Sequence, residues 1–213
     1  MTRWSDADRA VDGAAYDARF AALAAEGADV HGEARLCTVL VPTPALVLDA
    51  GCGTGRVAIR LAELGYACVG VDVDASMLEQ ARVRAPDMHW LQADLADLAP
   101  HPGDTGGGPI AAAGVTDPFD LVVAAGNVIP LVAAGTEAVV VAGLAALLAP
   151  GGLLVAGFGL HPDYLPIPEA PVSLAGYDAM CDAAGLVLEQ RFATWSGDAY
   201  DGGGYAVSVH RRA

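Results

Sequence analysis

The chain has 213 residues, a length that suits one domain with its own hydrophobic core. It carries 26 acidic and 11 basic residues, a formal net charge of −15, and every basic residue is an arginine. The lack of lysine excludes Schiff-base and lysine general-base chemistry, and the acidic excess argues against nucleic acid as a partner.

The cysteines and the apolar segments exclude further classes. The four cysteines include no C-x-x-C pair, so the sequence predicts neither a zinc site nor a redox motif, and no metal site at all. The N-terminus has no apolar signal region, so we expect a cytoplasmic protein. Residues 138–160 are uncharged, but Pro150 and the glycines after it interrupt this run. That pattern predicts a helix, a turn and a buried strand, and no membrane partner.

Two amphipathic helices are predicted before the first strand. Apolar residues recur at i, i+4 and i+7 within 14–26, and a second stretch lies between Asp29 and Pro42. We interpret residues 1–41 as a helical cap or lid, and residues 42–213 as the domain that it covers. The apolar stripes need a surface to bury them, and we expect that surface to be the carboxyl edge of the strands.

From residue 46 onward, short apolar runs alternate with helical segments. This alternation predicts an α/β fold with a largely parallel sheet covered on both faces. Asp74 is the predicted N-cap of one of the helices, and residues 100–118, rich in glycine and proline, are predicted to be a mobile surface loop. The predicted strands cover residues 46–48, 67–71, 88–91, 119–124, 152–158, 186–195 and 205–210, with later helices at 138–148 and 173–184.

A glycine-rich loop follows the first predicted strand, in the sequence Asp49-Ala50-Gly51-Cys52-Gly53-Thr54-Gly55-Arg56. Glycines there allow a tight turn and a close approach of a ligand to the backbone, at a point where a helix begins. A phosphate-binding P-loop is excluded because it needs a lysine. A dinucleotide loop is disfavoured because Arg56 stands where its final glycine is expected.

An acidic residue ends the second predicted strand. Asp72 follows the run Val69-Gly70-Val71, and a carboxylate at this place can accept hydrogen bonds from both hydroxyls of a ribose. This feature is expected for NAD and for S-adenosylmethionine alike. It therefore indicates an adenosine group without choosing between the two cofactors.

Segments later in the chain distinguish an S-adenosylmethionine site from an NAD site. Residues 91–95 follow the third predicted strand, and Asp94 could accept from an adenine amine while Leu95 packs on the ring. The fourth strand and the segment 148–154 also occur in the expected order. Together with the glycine loop, these motifs resemble those of the class I S-adenosylmethionine-dependent methyltransferases over roughly residues 46–160. More closely, the chain resembles small-molecule methyltransferases of actinobacterial type.

The resemblance implies a fold, a cofactor and a set of contact residues. The fold is a doubly wound, Rossmann-like sheet of seven strands, mostly parallel, whose last strand runs antiparallel. The cofactor is S-adenosyl-L-methionine. The residues implied in binding it are Asp49, Gly51, Cys52, Gly53, Gly55, Asp72, Val73, Met77, Asp94, Leu95, Ala125 and Gly126.

Candidates for the acceptor side follow from position and residue type. Asn127 lies where family members line the transfer site, although it could equally be a turn residue. His31 and His161 are candidate general bases, His31 because of its polar neighbours and His161 because it follows the fifth strand. The cap residues predicted to meet a substrate are Tyr16, Arg19, Phe20 and Glu33.

The sequence therefore predicts in-line methyl transfer to a small-molecule acceptor by a monomer or homodimer. Two alternatives stay open at this stage. One is an NAD-dependent oxidoreductase, which Arg56 and the absence of a Tyr-x-x-x-Lys pair disfavour. The other is a nucleotide-binding module without catalytic activity.

Overall fold

Seven segments form the strands of one sheet in the computed structural model, which describes residues 2–4, 12–98 and 108–213. The sequence predicted a strand at each of these places, most clearly where a run of apolar residues is bounded by turn residues. The strands are β1 (Leu46–Ala50), β2 (Ala67–Asp72), β3 (His89–Gln92), β4 (Phe119–Ala124), β5 (Leu148–Gly159), β6 (Leu186–Phe192) and β7 (Tyr205–Arg212).

The strand order is β3-β2-β1-β4-β5-β7-β6. Strands β1 to β5 run parallel to one another, whereas β7 pairs antiparallel with both β5 and β6. The last strand thus lies between two earlier ones, and the predicted seven-stranded, mostly parallel sheet is confirmed. Since the carboxyl ends of β1 to β5 meet at one edge, the loops that follow them are brought together there.

Helices cover both faces of this sheet. Asp74 caps one of them as predicted, since its carboxylate accepts from the N–H groups of Ser76 and Met77. The helices are α1 (Gly13–Ala25), α2 (Gly32–Leu40), α3 (Arg56–Glu63), α4 (Ala75–Arg84), α5 (Gly108–Ala112), α6 (Val128–Leu131), α7 (Glu137–Leu147) and α8 (Leu174–Ala183). Two single turns of 3-10 helix, Leu95–Asp97 and Pro162–Tyr164, follow β3 and β5.

Two predicted segments, the sixth strand and the loop 100–118, differ from the structure. β6 ends at Phe192 rather than at residue 195, because Thr194 begins a turn in which its hydroxyl accepts from the Ser196 N–H. The segment 100–118 was predicted to be a surface loop throughout, but its second part forms α5, whose Ile110 is buried in the core. Residues 100–107 of that segment lie outside the described residues.

The uncharged run 138–160 becomes two elements, the helix α7 and the strand β5 that follows it directly. Most residues of β5 and one side of α7 are buried in the core, which accounts for the absence of charged residues from 138 to 160. Across the described ranges, no helix combines the length and the apolar character needed to cross a membrane.

The strands alternate between two hydrophobic cores. In β1, Leu48 packs in the core on one face of the sheet and Val47 in the core on the other. This alternation follows from the two-residue period of a strand, and it keeps the sheet dry on both sides.

The described part of the predicted cap, residues 1–41, packs along α3 and α4. At α1, the Gly13 N–H donates to the Ser76 hydroxyl at 3.1 Å, and a Cβ at Gly13 would lie 2.2 Å from the Ser76 carbonyl oxygen. The Trp4 indole N–H donates to Asp74 at 3.1 Å. These contacts hold the cap beside the first turn of α4, at the carboxyl edge of the sheet. Residues 1 and 5–11 of the cap lie outside the described residues.

Candidate functional site

A cavity of about 450 Å³ opens at the carboxyl edge of the parallel strands. Its walls come from the loops after β1, β2, β3, β4 and β5, together with residues of the cap. Its size is typical of sites for small ligands and cofactors, and its place in a doubly wound sheet is the one where ligands bind.

The glycine loop after β1 forms the floor of the cavity. Its glycines Gly51, Gly53 and Gly55 have φ values of +73°, +53° and +78°, which favour glycine over other residues. The N–H groups of Gly51 and Cys52 donate to the Val71 carbonyl at 2.8 and 3.0 Å. A Cβ at Gly53 would meet no protein atom within 4 Å, so this glycine leaves its side of the cavity open.

Gly55 has a different role from Gly53. It does not line the cavity, and a Cβ on it would lie 2.4 Å from the Trp90 indole. The same ring lies on Gly70 of β2, and its N–H donates to the Ala85 carbonyl at 2.8 Å. The absence of a side chain at Gly55 therefore makes room for a packed tryptophan, and the structure does not place it against a ligand.

Asp72 joins two loops at the end of β2. Its Oδ2 accepts from the Gly53 N–H at 2.7 Å, and its Oδ1 accepts from the Asp74 N–H at 2.9 Å. Burial raises the pKa of this carboxyl, although the backbone donors oppose the shift. The carboxylate is fixed toward the cavity, and each oxygen keeps a lone pair for a ligand hydroxyl.

Asp49 lies beneath the glycine loop with only 2% of its surface exposed. Its Oδ2 accepts from the Ala58 N–H at 3.0 Å, at the start of α3. Burial raises the pKa of Asp49 to about 7, with smaller opposing effects of the Ala58 N–H and Arg56. An enclosed carboxyl of this kind titrates near neutral pH.

The loop after β3 supplies the opposite wall. Asp94 accepts from the Ala96 N–H at 3.0 Å through Oδ1, which starts the 3-10 turn and leaves Oδ2 without a hydrogen bond from the described residues. Leu95 is buried and faces the same cavity. Gly126, after β4, has open space where a Cβ would project. Three further lining residues were predicted from the sequence: Val73, Met77 and Ala125.

Phe20 and Glu33 lie behind the cavity and hold Arg56, which lines it. Glu33 accepts from Arg56 through both carboxylate oxygens at 2.6 and 2.8 Å, and the guanidinium lies 4.5 Å from the centre of the Phe20 ring. The Val30 carbonyl accepts a further hydrogen bond from Arg56. The structure therefore does not bring Phe20 or Glu33 to the cavity, because Arg56 lies between these two residues and the cavity.

The two histidines predicted as general bases also lie outside the cavity lining. His31 precedes α2, and its Nδ1 is buried without a hydrogen-bond partner among the described residues. His161 accepts from the Asp163 N–H at 3.4 Å, caps the 3-10 turn after β5 and is exposed. That turn directs His161 outward. The geometry thus gives neither histidine access to a reacting group in the cavity.

Of the four cap residues predicted to meet a substrate, Tyr16 and Arg19 line the cavity. Burial raises the pKa of the Tyr16 hydroxyl, although Arg56 opposes the shift, so the hydroxyl stays protonated and can donate a hydrogen bond. Among the residues that the structure describes, Arg19 forms no ion pair and no hydrogen bond.

Asn127 lines the cavity, but both ends of its amide are engaged by the backbone. Its Oδ1 accepts from the Gly159 N–H at 2.7 Å, and its Nδ2 donates to the Tyr164 carbonyl at 3.0 Å. Its φ of +70° is one that asparagine tolerates better than most residues. Of its two predicted roles, the contacts match the turn residue, because the amide ties β5 to the loop that follows it.

The sequence reasoning missed the loop after β5. Tyr164 forms part of the cavity wall with its neighbours, and Gly159 and Gly204 leave room for it, since a Cβ at either would lie 2.6 or 2.5 Å from Tyr164. The signal that singled out His161, its place after the fifth strand, applies equally to Tyr164. The other missed lining residues are Thr2, Trp4, Thr54, Arg56, Val57, Ala93, Val128, Leu131, Val132, Asp163, Leu165 and Pro166.

Known proteins that resemble this chain in sequence and structure are methyltransferases. The family model described as "Methyltransferase domain" matches residues 47–152. A TehB-like S-adenosylmethionine-dependent methyltransferase from Corynebacterium glutamicum is 29% identical, with a TM-score of 0.77 over 94% of this chain and 98% of that one. CalS10 of Micromonospora echinaspora, an amino pentose methyltransferase solved with S-adenosylmethionine bound, shares the fold at 20% identity with a TM-score of 0.66, over 92% of this chain and 97% of that one.

Curated proteins of similar sequence are also methyltransferases, and the similarity covers part of their length. Trans-aconitate 2-methyltransferase from Acidovorax sp. (strain JS42) is 32% identical over 169 residues, which are 78% of this chain and 57% of that protein. The enzyme of that name from Rhodopseudomonas palustris (strain HaA2) is 40% identical over 70 residues, 32% of this chain and 27% of its own length. The chain thus spans between about a quarter and just over half of these relatives.

The matched family segment contains the glycine loop, Asp72 and Asp94, and it ends at the start of β5, so it covers most of the strands that form the cavity. The sheet order with its inserted antiparallel strand is shared with the structural relatives. The chain belongs to the class I S-adenosylmethionine-dependent methyltransferase family.

Proposed function

We propose that the chain transfers a methyl group from S-adenosylmethionine to a small-molecule acceptor. The observation that carries this proposal is the cavity at the carboxyl edge of the sheet, where two acids and a glycine floor come together. The sulfonium of the bound cofactor supplies an activated methyl group. The chain itself then has to bind the cofactor and the acceptor, align them and exclude water, and no catalytic triad is needed.

The residues present fit this cofactor. Gly53 and Gly126 both leave open space where a side chain would project into the cavity, as an elongated ligand against the backbone requires. Asp72 offers fixed carboxylate oxygens for the two ribose hydroxyls, and Asp94 offers an acceptor for the adenine amine. Leu95 supplies an apolar surface for the ring. These assignments are part of the proposal.

Arg19 supports an acceptor that carries a carboxylate. In a chain of net charge −15, this arginine lines the cavity and has no acidic partner among the described residues. Arg56, the other cation of the lining, is neutralised by Glu33. A guanidinium without a partner is suited to bind a carboxylate through two parallel hydrogen bonds. The relatives named trans-aconitate 2-methyltransferase make trans-aconitate the first acceptor to test.

Turnover with methyl-labelled cofactor tests the proposal. We expect label to transfer to trans-aconitate or another small carboxylic acid, and Arg19→Gln to raise the acceptor KM by about 10-fold or more while cofactor binding stays unchanged. Arg60→Gln, on an exposed ion pair away from the cavity, is the control. A chain that binds the cofactor but transfers no label to any acid, phenol or amine would instead support the non-catalytic nucleotide-binding module.

We further propose that residues 1–41 act as a lid over the cofactor. Tyr16 and Arg19 of α1 line the cavity, and Trp4 is tied to the first turn of α4, so ligand and cap would stabilise each other. Saturating S-adenosylmethionine should therefore slow proteolysis at the exposed turn around Gly27 by about 5-fold or more. Cleavage at the exposed turn around Gly197 serves as the internal control. Equal rates at Gly27 with and without cofactor would contradict the lid.

A further inference from the structure

Asp49 is a buried carboxyl that forms no ion pair with the residues that the structure describes. It lines the floor of the cavity, is 2% exposed and accepts, within the described part of the chain, one hydrogen bond, from the Ala58 N–H. Enclosing an ionised carboxylate without a paired charge is costly, so such a group either finds a cation or takes up a proton.

The groups that face Asp49 do not supply this charge. From α3, Arg56 comes near, but both ends of its guanidinium are bound by Glu33 of α2. From β2, Asp72 adds a like charge. Three thiols complete the surroundings, and burial raises the pKa of each, so they are neutral: Cys37 of α2, Cys52 of the glycine loop and Cys68 of β2. The protein leaves the floor of its cavity with an excess of negative charge.

A ligand that enters this cavity can provide the missing cation. S-adenosylmethionine carries two positive charges, the sulfonium and the ammonium of its aminoacyl end. S-adenosylhomocysteine keeps only the ammonium, and adenosine carries neither. We propose that Asp49 is protonated in the ligand-free protein and releases its proton when the positively charged end of the cofactor binds, so that cofactor binding is coupled to proton release. This inference rests on the proposed function for the identity of the cofactor.

Calorimetric titration in two buffers measures this coupling directly. Phosphate and imidazole differ strongly in ionisation heat, so the difference between the two binding enthalpies gives the number of protons released. From a pKa of about 7 in the free protein, we expect a release of about half a proton per site at pH 7, approaching one at pH 6 and vanishing near pH 9. Asp49→Asn should abolish this part of the release, whereas Asp94→Asn, in the same cavity, should keep it.

Comparing proton release among the three ligands shows which positive charge of the cofactor causes it. Release with both S-adenosylmethionine and S-adenosylhomocysteine assigns the ammonium, and release with S-adenosylmethionine alone assigns the sulfonium. Either result supports the coupling, provided that adenosine gives no release that depends on Asp49. Equal release from adenosine, or equal release in wild type and Asp49→Asn, would overturn it. Saturable binding with identical heats in both buffers refutes this inference alone, whereas no binding of any of these ligands also refutes the proposed function.

The ligand-free protein provides a second measurement. Because folding raises the pKa of Asp49, the native state binds more protons than the unfolded chain between pH 4 and 7. Asp49 therefore contributes stability at low pH that is lost as the pH rises through 7. The melting temperature of wild type should fall between pH 5 and 8 relative to that of Asp49→Asn. Parallel profiles for the two proteins would contradict a protonated Asp49.

Discussion

Gly55→Ala is expected to destabilise the folded protein by about 2–4 kcal/mol. The new Cβ would lie 2.4 Å from the Trp90 indole, and the residue would have to keep a φ of +78°. Trp90 cannot retreat freely, because it also packs against Gly70 and donates to the Ala85 carbonyl. Denaturant unfolding of the two proteins measures the loss.

Gly53→Ala is the matched control for this prediction. Its Cβ would meet no protein atom within 4 Å, so only the cost of a positive φ remains, about 1 kcal/mol. The methyl group would however occupy the cavity, and we expect cofactor affinity to fall by more than about 10-fold in the folded fraction. Equal stability losses in the two variants would contradict the distinction between Gly55, which packs under Trp90, and Gly53, which faces a ligand.

Asp72→Ala is expected to weaken the binding of S-adenosylmethionine by about 10- to 150-fold, which corresponds to about 1.5–3 kcal/mol. The carboxylate lies at the end of β2, held by the Gly53 and Asp74 N–H groups, and would accept both ribose hydroxyls. Its removal takes away this contact and also frees the Gly53 N–H that shapes the cavity floor. Calorimetric titration of the variant measures the affinity.

The neighbouring residue Asp74 provides a control that distinguishes loss of the ribose contact from loss of local structure. Asp74 caps α4 and does not line the cavity. Asp74→Ala should therefore cost about 1 kcal/mol of stability. Because it also frees the Trp4 indole of the cap, it should lower cofactor affinity by a few-fold, much less than Asp72→Ala does. A similar loss of affinity in both variants would show that Asp72 acts through the local fold and not through the ribose.

Most of the residues that the sequence implied in cofactor binding come together in one cavity for a physical reason. Asp49, Asp72 and Asp94 each follow or end an apolar strand, and a parallel sheet brings such positions to one edge. Local patterns therefore determine both the fold and this part of the site. Eleven of the twelve residues implied in cofactor binding line the cavity, and Gly55 does not because Trp90 occupies that side.

The places of the residues predicted to meet an acceptor depend on contacts between distant residues, which local patterns do not reveal. Glu33 is directed at Arg56, 23 positions along the chain, and not at a ligand. Asn127 is engaged by residues more than 30 positions away, and so ties down the loop that carries Tyr164. Periodicity placed His161 correctly at the end of a strand. The 3-10 turn after it determines which side chain faces inward, and this depends on packing against Gly159 and Gly204.

Titration of the intact chain with S-adenosylmethionine and with NAD tests the central claim most directly. Both cofactors carry an adenosine that Asp72 could hold, but Arg56 stands where a dinucleotide loop has its last glycine, and Glu33 fixes it there. We expect saturable binding of one S-adenosylmethionine per chain and no saturable heat with NAD. Saturable binding of NAD without binding of S-adenosylmethionine would contradict it.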